Sequence, residues 1–267
     1  MDAVIGAQPG SPGVASEDST AIGPGIVVLL DGATARTETG CIHGVAWFAA
    51  RLADGIKEHA QLGPARALAA AISQTADSHR DTCDLSHPGT PSAAVGIVQA
   101  AEGAMRYLVL GDVTVVVDAT TGMQVVSDQR VSQTASAERA AADAMDAGNP
   151  EKAAALVRMK HAELAARNVE GGYWVAATDP TAAQHALTGE VPLSTVRQVA
   201  ILSDGAARAV DAFGLYDWTG ALDILRLDGP DELIRQVRAA ETSDPKATRW
   251  PRNKISDDAT AVYCTAL

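Results

Sequence analysis

Aromatic side chains are scarce, 4% of 267 residues, although 47% of the chain is hydrophobic. A core can form, but Ala, Val, Leu and Ile must fill it, which suits closely packed sheets and helices. Cysteines are few and scattered: Cys41, Cys83 and Cys264 are an odd set without a CxxC pair. Neither a disulfide framework nor a zinc site is indicated, and buried, reduced thiols are expected. The histidines, at positions 43, 59, 79, 87, 161 and 185, show no HExxH or HxH spacing and are expected on the surface or in the core. No apolar run approaches the roughly 18 residues that cross a bilayer, and the first residues lack the basic start and apolar run of a signal peptide. A soluble, cytoplasmic protein is the expectation. Basic residues are also short, 21 Lys and Arg against 33 Asp and Glu for a net charge of −12, and the first of them is Arg36. That balance opposes nucleic acid and anionic membrane as partners. A GxSxG nucleophile elbow and a Walker phosphate loop are absent too.

What is present is a recurring strand-end aspartate. Strand-like runs at residues 26–30, 107–110, 199–202 and 254–256 lead into Asp31-Gly32, Gly111-Asp112, Ser203-Asp204-Gly205 and Asp257-Asp258. Glu17-Asp18 adds an acidic pair in a polar loop before the first of these. Carboxylates at the ends of strands from distant parts of a chain can converge on one sheet edge and hold hard divalent cations through oxygen. Neighbouring side chains near a strand point to opposite faces, so Asp257 and Asp258 are expected to take different jobs, one ligating and one orienting.

Residues 6–25 are rich in Gly, Pro and Ser and read as loop and turn. Val45, Phe48, Ala49 and Leu52 recur at helical spacing within 39–59, and a second helix from Pro64 to about residue 78 carries Ala65, Leu68, Ala69 and Ile72 as its apolar stripe. Short strands at 93–98, 107–110, 114–118 and 123–127, separated by Gly-bearing turns, suggest consecutive antiparallel pairing. An Ala-, Glu- and Arg-rich stretch at 136–167, broken at Gly148-Asn149-Pro150, reads as a helical hairpin or flap. Strands are then predicted at 173–177, 199–202 and 259–264, with helices after Asp204 and from Pro230. Grouped strands followed by grouped helices indicate an α+β fold with antiparallel sheets.

In order and placement, Ser16-Glu17-Asp18, Val28-Leu29-Leu30-Asp31-Gly32, Gly89-Thr90-Pro91-Ser92-Ala93-Ala94-Val95, Leu110-Gly111-Asp112, Leu202-Ser203-Asp204-Gly205 and Asp257-Asp258-Ala259-Thr260-Ala261-Val262 resemble the motifs of the metal-dependent, type-2C serine/threonine protein phosphatases. The resemblance runs over nearly the whole chain. It implies a single domain over 1–267, an α-β-β-α sandwich of two antiparallel sheets flanked by helices, with a variable helical flap at about 132–172. It also implies Mg²⁺ or Mn²⁺ as cofactor: Asp31 bridging two ions, Gly32 offering its carbonyl, Glu17 on one ion, Asp204 and Asp257 on the other, Asp112 near a third and weaker ion, and Asp18 and Asp258 behind the ligands. Attack of a metal-bridged water on a phosphomonoester is the implied chemistry. Phosphoserine or phosphothreonine in a protein is the leading substrate. A small phosphorylated metabolite is the alternative, and a catalytically weak, metal-binding regulatory module is a second.

The departures from the family pattern all concern substrate handling. The arginine usual before the acidic pair is missing. Ala33-Thr34-Ala35-Arg36 stands where a histidine or aromatic and more glycine usually follow Asp-Gly, and Gly111-Asp112-Val113-Thr114 lacks the usual serine and arginine. Arg36, five positions past Asp31, is a candidate replacement clamp for phosphate, set against a plain surface ion pair with Glu38.

Overall fold

In the computed structural model, which describes residues 1–265, the apolar run before Asp31 is buried on both faces. The chain order is β1 (Asp2–Gln8), β2 (Ser19–Gly23), β3 (Ile26–Gly32), α1 (Gly44–Glu58), α2 (Pro64–His79), β4 (Ala93–Ala101), β5 (Ala104–Leu110), β6 (Thr114–Ala119), β7 (Gly122–Val126), α3 (Arg130–Gln133), α4 (Ser136–Asp143), α5 (Lys152–Ala166), β8 (Leu187–Pro192), β9 (Val196–Leu202), α6 (Asp204–Asp211), α7 (Trp218–Leu227), α8 (Pro230–Ser243) and β10 (Ala259–Thr265). One antiparallel sheet has the order β1-β10-β9-β6-β7 and the other β2-β3-β4-β5-β8.

The alternation of side chains along each central strand builds three layers of core. Val27 and Leu29 of β3 meet Val115, Val117, Val199, Ile201 and Val262 of the facing sheet. Ile26, Val28 and Leu30 turn the other way, onto Phe48, Ala49 and Leu52 of α1 and Leu68 and Ile72 of α2. On the far side Val116, Ala200 and Leu202 pack under α6, α7 and α8, against Ala206, Leu222, Leu233 and Val237. Central strands therefore read as continuous hydrophobic runs, because each is covered twice. The fold is the α-β-β-α sandwich that the motif resemblance implies. No helix of the described residues is long and apolar enough to cross a membrane.

Several elements differ from the sequence reading. Residues 6–25 are not all loop, since β2 lies within them and β1 overlaps their start. The missed strands β1, β2 and β8 all stand at sheet edges, where a strand has one neighbour and exposed side chains weaken its hydrophobic pattern. Residues 173–177 form only isolated bridges. Their apolar character comes from burial of Tyr173, Val175, Ala176 and Ala177, while the Asn168 side-chain amide takes up the backbone of Val175 in place of a strand partner. Residues 254–256 are coil ahead of β10. In α2 the buried stripe is Ala67, Leu68, Ala71 and Ile72, with Ala65 exposed.

Helices α4 and α5 form the expected hairpin over the sheet ends, with a small core of Ala142, Ala155, Leu156 and Met159. Two cations tie it down. Buried Lys152 donates to the carbonyls of Met145 and Arg252, and Arg167 donates to the carbonyls of Pro88 and Thr90 and the hydroxyls of Thr90 and Ser92. The Gly89-Thr90-Pro91-Ser92 motif thus serves as a docking point for the end of the flap.

Candidate metal centre

Both sheets end at one rim, and the strand-end acids meet there. Asp31 is the next-to-last residue of β3, opposite Ala94 of β4, Asp112 sits in the turn between β5 and β6, and Asp204 opens α6 directly after β9. Asp257 comes from the coil before β10. These four carboxylates line a single cavity together with Gly32, Thr34, Arg36 and Lys254. The ends of β9 and β10 are clasped by two bonds, from Ser203 N–H to the Thr260 carbonyl and from Thr260 N–H to Ser203 Oγ, both 2.9 Å.

Glycine is required at two points of this rim by close approach. A Cβ on Gly32 would lie 2.5 Å from the Glu17 carbonyl oxygen, and one on Gly205 2.0 Å from that of Asp258. The acidic pair at 17–18 and the coil at 257–258 are therefore pressed against the strand ends.

The charges are crowded. Desolvation first, and then repulsion from Asp204, Asp18, Asp112 and Asp257, holds the Asp31 carboxyl well above the usual carboxylate range. Burial, with Asp204 adding to it, pushes Asp112 up to about 7. Asp18 is likewise pushed up to about 7 by burial, with the hydroxyls of Thr260 and Ser203 working in the opposite direction. Both Asp18 side-chain oxygens are buried without a well-formed hydrogen bond. Asp257 rises to about 6, again from burial and then Asp204, although Lys254 and Arg208 favour its charged form. An all-oxygen cluster that repels itself in this way suits Mg²⁺ or Mn²⁺, which would replace the missing counter-charge.

Each acid named from the sequence has a definite place. Asp31, Asp112, Asp204 and Asp257 face the cavity with Gly32. Asp18 stands behind them, close enough to raise the Asp31 carboxyl. Glu17 opens on an adjoining cleft shared with Thr34, Arg36 and Lys254, and its Oε2 accepts from Thr34 Oγ1 at 2.5 Å. Asp258 points away from its neighbour and accepts from the backbone N–H groups of Gly10, at 2.8 Å, and Glu17, at 2.6 Å. It fixes the loop that carries Glu17. Arg36 lines both the cavity and the cleft and forms no ion pair with Glu38 among the described residues.

Apart from Arg36, sequence reasoning missed the basic residues of the rim. Lys254 Nζ donates to Asp257 Oδ1 at 2.5 Å and Thr34 Oγ1 at 2.8 Å. Burial works against its charge, but Asp257 and Asp204 outweigh that and keep it cationic. Arg208, one turn past Asp204, bridges Asp257 Oδ2 at 3.1 Å and Glu241 at 2.9 Å. From the flap, Arg139 and Lys160 reach the cavity and share Glu163. The one available signal was Lys254 three residues before Asp257; the other partners come from distant segments.

The cysteines and histidines also depart from expectation. Cys264 is buried, but Cys41 and Cys83 are only partly so, and with His43 and His79 they gather into one cluster whose potential ligand atoms all lie within 4.8 Å of one another.

No family model matches the sequence, and no curated protein matches it in sequence. Solved structures do match in shape over the full chain. The serine/threonine phosphatase Stp1 from Staphylococcus aureus superimposes with a TM-score of 0.59 at 13% identity, covering 100% of this chain and 95% of its own. The serine/threonine phosphatase PstP/Ppp from Mycobacterium tuberculosis gives 0.56 at 13% identity, over 98% and 96%. The catalytic domain of PstP in complex with two manganese ions gives 0.53 at 13% identity, over 98% and 96%. The chain has the fold of these bacterial serine/threonine phosphatases.

Proposed function

We propose that the chain is a type-2C phosphatase that hydrolyses phosphomonoesters with Mg²⁺ or Mn²⁺, phosphoserine and phosphothreonine of proteins foremost. The observation that carries this reading is the convergence of Asp31, Asp112, Asp204 and Asp257 on one cavity at the rim of the two sheets. The fold shared with phosphatases, one of them holding two manganese ions, supports the same reading. Asp31, Asp204, Asp257, Glu17 and the Gly32 carbonyl would hold two ions, with Asp112 beside a third. When bound, such ions neutralise phosphoryl charge and acidify a water.

The chain's own residues supply the rest. Asp31 is oriented by the Asp204 N–H, and Asp257 is held between Lys254 and Arg208. Arg36, which lines the cavity and forms no ion pair among the described residues, is placed to grip phosphate oxygens with its planar fork. Lys254 adds a fixed positive charge where the family's usual arginine is absent.

Hydrolysis of an aryl phosphate, stimulated by Mn²⁺, lost with chelator and restored by Mn²⁺, tests the enzyme. Metal binding without turnover would leave a regulatory module instead. A panel of phosphopeptides against sugar, nucleotide and amino-acid phosphates then decides the substrate class.

A further inference from the structure

A second cluster lies where α1 begins and α2 ends, with His43 bordering the cleft that Glu17, Asp257 and Asp258 also line. Cys41 and His43 come from the loop entering α1, and His79 and Cys83 from the last turn of α2 and the residues just past it. Cys41 Sγ is 3.6 Å from His43 Nδ1 and 3.5 Å from His79 Nδ1, while His43 Nδ1 is 3.4 Å from Cys83 Sγ. Four ligands around tetrahedral zinc, with Zn–S of about 2.3 Å and Zn–N of about 2.0–2.1 Å, place neighbouring sulfur and nitrogen atoms about 3.5 Å apart. The three separations therefore match three of the six edges of a zinc tetrahedron, and all four ligand atoms lie within 4.8 Å of one another.

We propose that Cys41, His43, His79 and Cys83 bind a structural Zn²⁺ ion that staples the start of α1 to the end of α2. Two thiolates and two imidazoles form a closed Cys₂His₂ set, the kind that holds zinc without leaving a position for substrate. Both thiols release their protons on binding, and the resulting site is electrically neutral. Trp47 stacks on His43 at a ring separation of 4.2 Å and leans on His79 at 5.3 Å, which fixes both rings. The surrounding loop is closed independently: Asp84 N–H donates to the Gly40 carbonyl at 2.8 Å, and Cys83 N–H to the His79 carbonyl at 3.0 Å. Soft sulfur ligands separate this site from the all-oxygen rim, so the two centres select different metals. His43 also borders the cleft that holds Thr34 and Arg36, so the staple anchors the far end of the loop that carries them. The inference stands whether or not the chain is a phosphatase.

The test is metal content and cobalt spectroscopy on the reduced full-length protein. Wild type and Asp204→Asn, purified from zinc-supplemented cells without chelator, are both expected to carry about one tightly held zinc per chain. Replacement by Co²⁺ is expected to give the visible bands of a tetrahedral site and sulfur-to-cobalt charge transfer in both. Cys41→Ser with Cys83→Ser is expected to lose the zinc and the charge-transfer band while still binding Mn²⁺. Should that variant fail to fold, the wild-type spectra decide alone. Absence of zinc and of thiolate–cobalt absorption in the reduced wild type, or a Cys41–Cys83 disulfide found by mass spectrometry in protein isolated with its native redox state trapped, would overturn the proposal.

Discussion

The backbone N–H of Asp204 donates to Oδ2 of Asp31 at 3.0 Å. Asp204 is the first residue of α6, so one of the helix's unpaired amides is satisfied by a carboxylate from the opposite sheet. This bond joins the two sheets at the rim and leaves the Asp31 carboxylate oriented between them. It also sets two carboxylates close together, and after burial the repulsion from Asp204 is the strongest influence raising the Asp31 carboxyl.

Asp31→Asn and Asp204→Asn are each expected to lower kcat/KM for a phosphomonoester by at least about 100-fold, since groups that merely orient metal ligands already cost 10–100-fold. Calorimetric titration with Mn²⁺ would show weakened binding in both variants. Near wild-type turnover in either would remove that residue from the centre.

Asp18 gives a pH signature. Its carboxyl has a pKa of about 7 in the fold, against about 3.9 in an unfolded chain. The folded state thus binds the extra proton, and this residue's contribution to stability is lost as pH rises from about 4 to about 7. Asp18→Asn has no such loss. In metal-free protein, the Tm of the variant relative to wild type is expected to climb over that range by at least roughly 2–4 °C, the effect of 1 kcal/mol in a domain of this size. Scanning fluorimetry at a series of pH values reads it directly; a flat difference would contradict it.

Arg36 and Lys254 are expected to separate kinetically. Arg36→Glu should raise KM by about tenfold or more, the worth of a charge-assisted hydrogen bond, with Mn²⁺ affinity little changed. Lys254→Met should instead disturb Asp257 and Thr34, its two partners, and alter the Mn²⁺ titration. Unchanged KM in Arg36→Glu would rule out the clamp.

Gly205→Ala tests how tightly the rim is packed. The new methyl would meet the Asp258 carbonyl oxygen at 2.0 Å, so helix or coil must shift, at a cost of about 1–3 kcal/mol. Denaturant unfolding should show that loss, and Mn²⁺ affinity should fall with it because Asp257 moves.

The central strands were legible because burial on both faces forces uninterrupted runs such as Ile26-Val27-Val28-Leu29-Leu30, and such runs stand out in one dimension. The acids at their ends were legible for the same reason: Asp31, Asp112 and Asp204 each interrupt or follow an apolar run. Edge strands β1, β2 and β8 were not, since half their hydrogen-bonding and much of their surface face solvent. Apolar residues 173–177 misled, because a core can be entered by coil when a side chain such as Asn168 supplies the backbone's partners.

By itself the sequence determined an α+β fold with antiparallel sheets and the acidic character of its rim, because hydrophobic periodicity and strand-end carboxylates are local properties; the layering was what the motif resemblance implied. Tertiary structure alone decided what stands beside those acids. Lys254 next to Thr34, Arg208 under Asp257, and Arg139 arriving on the flap are contacts across long stretches of chain. The same holds for the second cluster. Cys41 and His43 lie 36 residues or more from His79 and Cys83, and only the packing of α1 on α2 brings two thiols and two imidazoles to the spacing of one ion.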